Sequence, residues 1–543
     1  MKSLGEIERV HQNHKQLEVA LVRAQHTTLV WSRRTGKTDG PMAQFSADNA
    51  FDMPCSLGGF VAPSYRKMLG QFMQSLKTGW ARIGYVQGRD YQLGKPHNKW
   101  ERPIHEPQEW STAIHLRCGS AITLMSQDRP GSANGNTLYW LGMDEKRYLK
   151  RAALEEEVLP AMSGNPPLFG DLSCHKSTMS VTDRPRTPST KYILDDKYKM
   201  DPGAVEIILE IQDEIQSLHR SLMAGTLSEK SERVYESRIR QFNEQLNELR
   251  RGLFFYSEAN TLDNIDVVGP EYIIEQHSQL TAQEFEISIL NNDVDYVDGG
   301  FYARMDEEAH TYAPTMASYT GNFDLTNSDQ LPDDSRNDAE LVSVLPLRVA
   351  GDYGSSFNCL VTGQLIERHL NVDNNHYMRS PHKLVEVVRK WDAYFKHHQC
   401  KDVFYYYDQT AIGTDGKTDD TYADIVIDEL RRLGWNVIPV YMEAAPEHFV
   451  KHNLWQRVFA NTRDSDGLSI AFNEQNCKET ITSMRLADVK QYKGKFEKNK
   501  DPERNKDIDQ VLTTHLSDAA DQLLWGVEHF EDPDHGVPVG ALR

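Results

Sequence analysis

The chain is poor in cysteine, with six in 543 residues (Cys55, Cys118, Cys174, Cys359, Cys400, Cys477), far apart and without a C-x-x-C pair. That spacing argues against a zinc ribbon and against a disulfide framework, and the thiols are expected to be mostly buried. Long apolar runs are also missing: none approaches the roughly 18–20 residues that span a bilayer, and the N-terminal MKSLGEIERVHQNHK lacks the apolar core of a signal peptide. A cytoplasmic, non-membrane protein is expected. No internal repeat is present. Positive charge is in deficit, 60 Lys and Arg against 80 Asp and Glu for a net charge of −20. Spread evenly, that balance would exclude a nucleic-acid binder, because affinity for phosphates comes largely from Lys and Arg. The rest is ordinary: 39% hydrophobic and 26% charged residues, which excludes collagen, mucin and wholesale disorder, over a length that suits about two to four domains.

The charge is not spread evenly. Residues 1–200 carry 27 basic and 20 acidic side chains, residues 201–340 carry 9 and 29, and residues 341–543 carry 24 and 31. The first and last stretches alternate short apolar runs (HTTLVW, GGFVAP, AITLM, TLYWLGM; then VSVLPLRVAG, NCLVTGQL, VFYYYD, NVIPVY) with polar helical segments, the rhythm of α/β domains. In the acidic middle, Ile208, Ile211, Ile215, Leu218 and Leu222, and again Ile239, Phe242, Leu246, Leu249 and Leu253, recur every three or four residues. With Thr226 and Glu229 spaced as a capping box, residues 203–253 are predicted to be an antiparallel helical hairpin. It is either a packing element of the first domain or a projecting arm. Residues 318–340, rich in turn formers, read as a linker or long surface loop.

Two places carry chemistry. The strand-like HTTLVW ends in Ser32-Arg33-Arg34-Thr35-Gly36-Lys37-Thr38 ahead of a potential helix. There, backbone N–H groups would face the phosphates of ATP, Lys37 would neutralise them and the Thr38 hydroxyl would reach Mg²⁺. The glycine usual four residues before Gly36 is replaced by Trp31. About a hundred residues on, Leu-Tyr-Trp-Leu-Gly-Met runs into Asp144 and Glu145, suited to holding Mg²⁺ and polarising the attacking water respectively.

The second place is in the C-terminal stretch. Leu347–Ala350 leads to Asp352, the apolar Val403–Tyr407 leads to Asp408, and His515-Leu-Ser-Asp518-Ala-Ala-Asp521 opens a helix. Carboxylates on two neighbouring central strands are costly unless a cation lies between them, so bound Mg²⁺ or Mn²⁺ is implied. Asp518 is the expected third ligand and Asp521 the alternative. Just upstream, residues 490–506 hold seven basic and three acidic residues. Lys490, Lys493, Lys495, Lys498 and Lys500 could hold a DNA backbone there, or form an ordinary solvated hairpin.

These segments together resemble the large terminase subunits of tailed bacteriophages. S-R-R-T-G-K-T is similar to the family's arginine-rich phosphate loop, and Val61-Ala62-Pro63-Ser64-Tyr65-Arg66-Lys67 to its V-A-P-T-Y-R-Q segment. Cys118-Gly119-Ser120 through Ser126–Ser132 resembles the run into the acidic strand, and H-x-x-D-A-A-D the closing helix of the nuclease domain. The resemblance implies an ASCE-type P-loop ATPase followed by an RNase H-like nuclease, both α/β, with a helical hairpin insertion. The boundaries it gives are an ATPase core at 1–202, the hairpin at 203–253, the rest of the ATPase and an acidic linker at 254–340, and the nuclease at 341–543. It implies that Arg33 acts on the γ-phosphate with Arg34 beside it, and that Thr182, in Ser180-Val181-Thr182, couples hydrolysis to movement, although the usual S-T-P form is absent. It implies ATP with Mg²⁺ at the first site and two Mg²⁺ or Mn²⁺ at the second. The implied partners are double-stranded DNA, the procapsid portal, the small terminase subunit and further copies in a ring, a pentamer, in the infected host's cytoplasm. The rival readings are another P-loop ATPase fused to a nuclease, such as a helicase or repair translocase, and a structural protein that has lost the chemistry.

Overall fold

Runs such as HTTLVW and LGGFVA are apolar at nearly every position, which suits strands covered on both faces by helices. A computed structural model bears this out and describes residues 11–530 except 130, 186–187, 281, 293–299, 355, 381–382, 414–419, 493–494 and 506–507. Eight strands form one sheet: β1 (His26–Trp31), β2 (Leu57–Ala62), β3 (Tyr91–Leu93), β4 (Ala113–Leu116), β5 (Ala121–Ser126), β6 (Trp140–Met143), β7 (Ser177–Thr182) and β8 (Phe254–Ala259). Their order is β3-β4-β5-β2-β6-β7-β1-β8, and all pairs from β5 to β8 are parallel. One strand, β7, lies between β1, which feeds the Lys37 loop, and β6, which ends at Asp144 and Glu145. That is the expected ASCE layout.

The second sheet contains β9 (Thr311–Tyr312), β10 (Leu347–Tyr353), β11 (Phe357–Ile366), β12 (His369–Arg379), β13 (Asp402–Tyr407), β14 (Asn436–Tyr441) and β15 (Ser469–Asn473), in the order β14-β13-β10-β11-β12-β15-β9. An antiparallel meander β10-β11-β12 is extended by β13 and β14 parallel to β10, the RNase H-like arrangement. Alternate residues of β10 serve two cores. Ala350 packs with Leu516, Ala520 and Leu524 of helix His515–Phe530, whereas Leu347 and Val349 pack with Val387, Val388 and Trp391 of helix Leu384–Phe395. The two helices therefore cover opposite faces. A separate hairpin, β16 (Val489–Tyr492) and β17 (Lys495–Lys498), precedes the closing helix.

The chain crosses between the two units more often than the linear boundaries imply. Residues 1–273, 286–293 and 321–331 belong to the first unit, and 274–285, 294–320 and 332–543 to the second. The stretch read as a linker is consequently divided, and its second half is not a surface loop: Asp334, Ser335, Asn337 and Asp338 are buried. Turn-forming side chains satisfy their own backbone there, as where Asp334 accepts from Arg336 N at 3.1 Å, and so can leave water. Cysteine burial also differs from expectation, since only Cys359 and Cys477 are fully buried.

The hairpin forms as helices Pro202–Met223 and Glu229–Arg250, but Ser228, not Thr226, caps the second, accepting from Ser231 N at 3.3 Å. Both anticipated roles are present in part. At its base Ile208, Ile215, Ile239 and Leu246 are buried, and Arg250 donates to the carbonyls of Leu21 and Val22 at 2.8 Å each. Near the tip Met223 and Val234 are exposed. Leu246→Ala should cost about 2–5 kcal/mol in denaturant unfolding, while Val234→Ala should change stability by no more than about 0.5 kcal/mol.

Candidate active sites

The Lys37 loop is held by its carbonyls. Thr261 Oγ1 donates to Arg33 O at 2.9 Å, Asn264 Nδ2 to Arg34 O at 2.7 Å, Asn13 Nδ2 to Thr35 O at 3.3 Å and Gln16 Nε2 to Gly36 O at 3.0 Å. Four consecutive carbonyls are thereby turned into the protein. Among the described residues, the N–H groups of Arg34, Thr35, Gly36 and Lys37 have no acceptor, the condition for receiving a phosphate. Gly36 is at φ +75°, a backbone conformation that calls for glycine. The carbonyl of Ser288 accepts from Arg33 N at 3.3 Å, which ties the 286–293 segment to the loop. A cavity of about 1030 Å³ opens beside Gly36, lined by Gln16, Arg34, Asn264, Val268 and Tyr272, large enough for a nucleotide.

Asp144 and Glu145 follow β6 as expected. Thr38 Oγ1 is 3.4 Å from Asp144 Oδ1, so the two residues proposed for Mg²⁺ face one another. Burial and the neighbouring Glu145 push the Asp144 carboxyl up to about 7, against the pull of Lys37. A buried acid pair in that condition is the donor set for a hard cation. Glu145 is at φ +51°, a strained conformation for a non-glycine residue. Its Oε2 is buried and accepts no hydrogen bond among the described residues.

Two residues here were missed in the sequence. Asp183, directly after β7, takes Lys37 Nζ on one carboxylate oxygen and Arg147 Nη2 at 3.0 Å on the other. Burial opposes its ionisation, and Lys37, Arg147 and Arg33 outweigh that, holding it well below the usual carboxylate range. Arg147 is buried, with Nε 3.9 Å from Glu145 Oε2. Thr182, fully buried, accepts from Arg147 N at 3.2 Å, joining the end of β7 to the Glu145 segment. Arg33 and Arg34 are exposed, Arg34 at φ +62°. β7 is rich in Ser and Thr, so the apolar run that singled out Asp144 does not mark Asp183.

In the second unit, Ala350 pairs with Tyr406 across β10 and β13, so Asp352 and Asp408 stand level two residues further on. Both follow the parity of Ala350 and Tyr406, which face helix His515–Phe530, the helix that carries Asp518. Asp352 Oδ2 is 2.6 Å from His515 Nδ1. Asp408 accepts from Thr410 N at 2.9 Å. Asp518 meets Lys498 Nζ at 2.7 Å and Lys500 Nζ. Burial disfavours the Asp518 carboxylate, yet Lys498, Lys500 and Lys451 hold it low. Burial likewise disfavours the His515 cation, and Asp352 overrides it. Among the described residues no three His, Cys, Asp or Glu side chains form a closed metal-binding group. Asp352 is paired with His515, and Asp518 with Lys498 and Lys500. The three oxygen donors, on one face of the sheet, still suit a hard divalent ion.

Asp521 does not belong with them. It accepts from Tyr302 OH and Trp455 Nε1 at 2.7 Å each and from Lys498 at 2.8 Å, a complete set of partners facing inward. Lys498 also departs from expectation. Its side chain is 0% exposed, so it secures the closing helix instead of offering a surface grip. Lys490 pairs with Asp501 at 2.8 Å, and Lys500 is half-exposed. Lys493, and the side chain of Lys495, lie outside the described residues. Tyr302 and Trp455 were not anticipated, and no local pattern marks them.

No protein-family model matches the chain, and no curated protein matches it. The solved structures it resembles include the large terminase from a thermophilic bacteriophage, 13% identical over 95% of this chain and 99% of that one, with a TM-score of 0.38. The ATPase domain of the Thermus phage P74-26 large terminase is 15% identical over 52% of this chain and 94% of that one, TM-score 0.31. The large terminase nuclease from thermophilic phage G20c is 15% identical over 33% of this chain and 82% of that one, TM-score 0.21.

The Asp144 titration gives a pH test. Its folded carboxyl binds a proton more tightly than an ordinary aspartate at 3.8, so the stability tied to that proton is full below pH ~4 and lost as the pH rises through about 7. In EDTA without nucleotide, Asp144→Asn should raise the thermal unfolding temperature more at pH 8 than at pH 5. An equal gain at both would contradict the assignment.

Proposed function

We propose that the chain is a large terminase subunit, which uses ATP to drive double-stranded DNA into a procapsid and cuts concatemeric DNA with a metal-dependent nuclease. The observation that carries the reading is the joint presence in one chain of a glycine-bearing loop with four unengaged N–H groups beside an acid pair and of strand-borne Asp352 and Asp408 facing a helix that carries Asp518. The motif resemblance, from the arginine-rich loop to H-x-x-D-A-A-D, supplies the viral context. In this reading portal, small subunit and further copies in a ring are the partners.

At the first centre the loop N–H groups and Lys37 bind the β- and γ-phosphates, and Lys37 exchanges Asp183 for phosphate as nucleotide arrives. Thr38 and Asp144 would hold Mg²⁺, which offsets phosphate charge. Glu145 takes the proton of the attacking water. Arg33, or the buried Arg147, stabilises charge on the transferred phosphoryl group. At the second centre Asp352, Asp408 and Asp518 would hold Mg²⁺ or Mn²⁺, which supplies Lewis acidity for in-line displacement at a phosphodiester. Lys500, half-exposed beside Asp518, and Lys490 are placed to meet the DNA backbone.

ATP hydrolysis and Mn²⁺-dependent plasmid cleavage measured on the same preparations test both assignments. Glu145→Gln should bind ATP but lower turnover by roughly 10²–10⁴-fold, with cleavage intact. Asp352→Asn should abolish cleavage and spare ATP hydrolysis. Loss of both activities in either variant, or of neither, would overturn the two-centre reading, and ATPase stimulation by DNA ends but not by procapsids would favour a repair translocase.

A further inference from the structure

Away from both centres, three parallel strands of the second unit run out side by side. β12 pairs with β15 as far as Val372 and Phe472, and β15 pairs with β9 at Asn473 and Tyr312. At this level β12 carries a bulge: the adjacent Thr362 and Gly363 of β11 face Asn374 and Val372, which leaves Asp373 as the extra residue. Such an insertion re-aims a side chain. Gly363 makes room for it, since a Cβ there would lie 2.5 Å from Asn371 O.

The re-aimed Asp373 is 0% exposed. Its Oδ1 accepts from Tyr312 OH at 3.0 Å, and its Oδ2 is buried with no hydrogen-bond partner among the described residues. Asp338, 1% exposed, arrives from the 332–340 segment. Its carboxylate accepts from Asn473 Nδ2 at 2.9 Å, Asn476 Nδ2 at 3.4 Å and Glu340 N at 3.2 Å. Tyr394, from helix Leu384–Phe395, accepts from Asn476 Nδ2 at 2.9 Å and closes the pocket. No Lys, Arg or His forms an ion pair with either carboxylate among the described residues; Arg348 acts on Asp373 only through its more distant charge.

This pocket is distinct from the Asp352 centre. Cross-strand register aligns Asp352 with Cys359 and Tyr377, and Tyr377 is four residues beyond Asp373, about 13 Å along the strand. Tyr394 also belongs to the helix that covers the opposite face of the sheet from Asp518. Elsewhere in this unit the buried carboxylates of Asp334, Glu429, Asp518 and Asp521 each meet an arginine or a lysine, and that of Asp408 accepts from Thr410. Here, among the described residues, two buried carboxylates meet only neutral donors and a phenol, and Asp373 Oδ2 has no hydrogen-bond partner. Like charges so placed require a neutralising cation or a bound proton.

We propose that Asp338 and Asp373, with Tyr312, form a binding site for a hard divalent cation of the Ca²⁺ or Mg²⁺ class, whose role is to fasten the 332–340 segment and β9 to the edge of the sheet. Carboxylate oxygens are the donors such ions prefer, and Asp373 Oδ2 is the position left for one. Burial, and for Asp373 the neighbouring Asp338, raise both carboxyls, that of Asp338 to about 7, so cation and proton compete.

The test uses the full-length chain stripped with EDTA and titrated with CaCl₂ or MgCl₂ in thermal unfolding, and with Tb³⁺ for luminescence excited through tyrosine, because Tyr312 touches the site. Wild type and Asp352→Asn should both show a saturable rise in unfolding temperature and tyrosine-sensitised Tb³⁺ emission. In the Asp352→Asn background, Asp373→Asn should lose the response to CaCl₂, MgCl₂ and Tb³⁺ that Asp352→Asn retains, while being at least as stable as Asp352→Asn in EDTA, where neutralising one acid relieves the repulsion. An unchanged titration in the double variant, or no saturable response in Asp352→Asn, would overturn the proposal and leave a shared proton between the acids. If Asp373→Asn does not fold, Asp338→Asn is read by the same criteria.

Discussion

A charge withdrawn from water needs an opposite charge or a dense set of donors, and the positions where this chain meets that demand organise both of its candidate centres. Lys37 and Arg147 share Asp183, Lys498 joins Asp518 to Asp521, and His515 meets Asp352. Each pairing draws together segments distant in the sequence. Two of them also keep a carboxylate ionised: Asp183 and Asp518 stay charged against burial because cations surround them. The same demand limits which residues can serve a ligand. Asp521 is consumed by Lys498, Tyr302 and Trp455, whereas Asp352 and Asp518 hold their partners at the rim of the sheet, where Lys500 is half-exposed.

The acidic middle of the sequence takes part in this architecture. The 286–293 segment returns to the first unit, where Ser288 and Ile289 carbonyls accept from Arg33 N and Ser32 Oγ at the phosphate loop. Residues 332–340 enter the second unit and bury Asp338 there. Part of the net charge of −20 is thus internal, and the overall sign does not oppose contact with a polyanion made locally by lysines.

Much of this was legible from short-range pattern. An apolar run ending in an acid located Asp144, Asp352 and Asp408, because a buried parallel strand releases its first polar side chain at its carboxyl end. Heptad spacing located the hairpin, though Ser228 displaced Thr226 as its cap. What escaped notice depends on strand order and on distant partners. That Asp183 would meet Lys37 requires β7 to lie next to β1, which no local window contains. Lys498 sits in a run that reads as solvated, and Phe301 and Tyr302, from another part of the chain, together with Asp518 and Asp521 make its position a buried one. The 332–340 segment looked like a linker for the same reason: its turn formers satisfy each other locally, and polarity alone does not distinguish such a segment from a solvated loop.

The central claim is that the carboxylates of the second unit are divided between a metal-binding set and a structural one. A crystal of the full chain soaked in Mn²⁺, with anomalous scattering recorded above and below the manganese edge, tests it directly. The account predicts manganese bound by Asp352, Asp408 and Asp518, with Lys500 moved off Asp518 and with Asp521 still on Lys498, Tyr302 and Trp455. Manganese bound by Asp521, or Lys500 remaining on Asp518 with no manganese at Asp352, would contradict it.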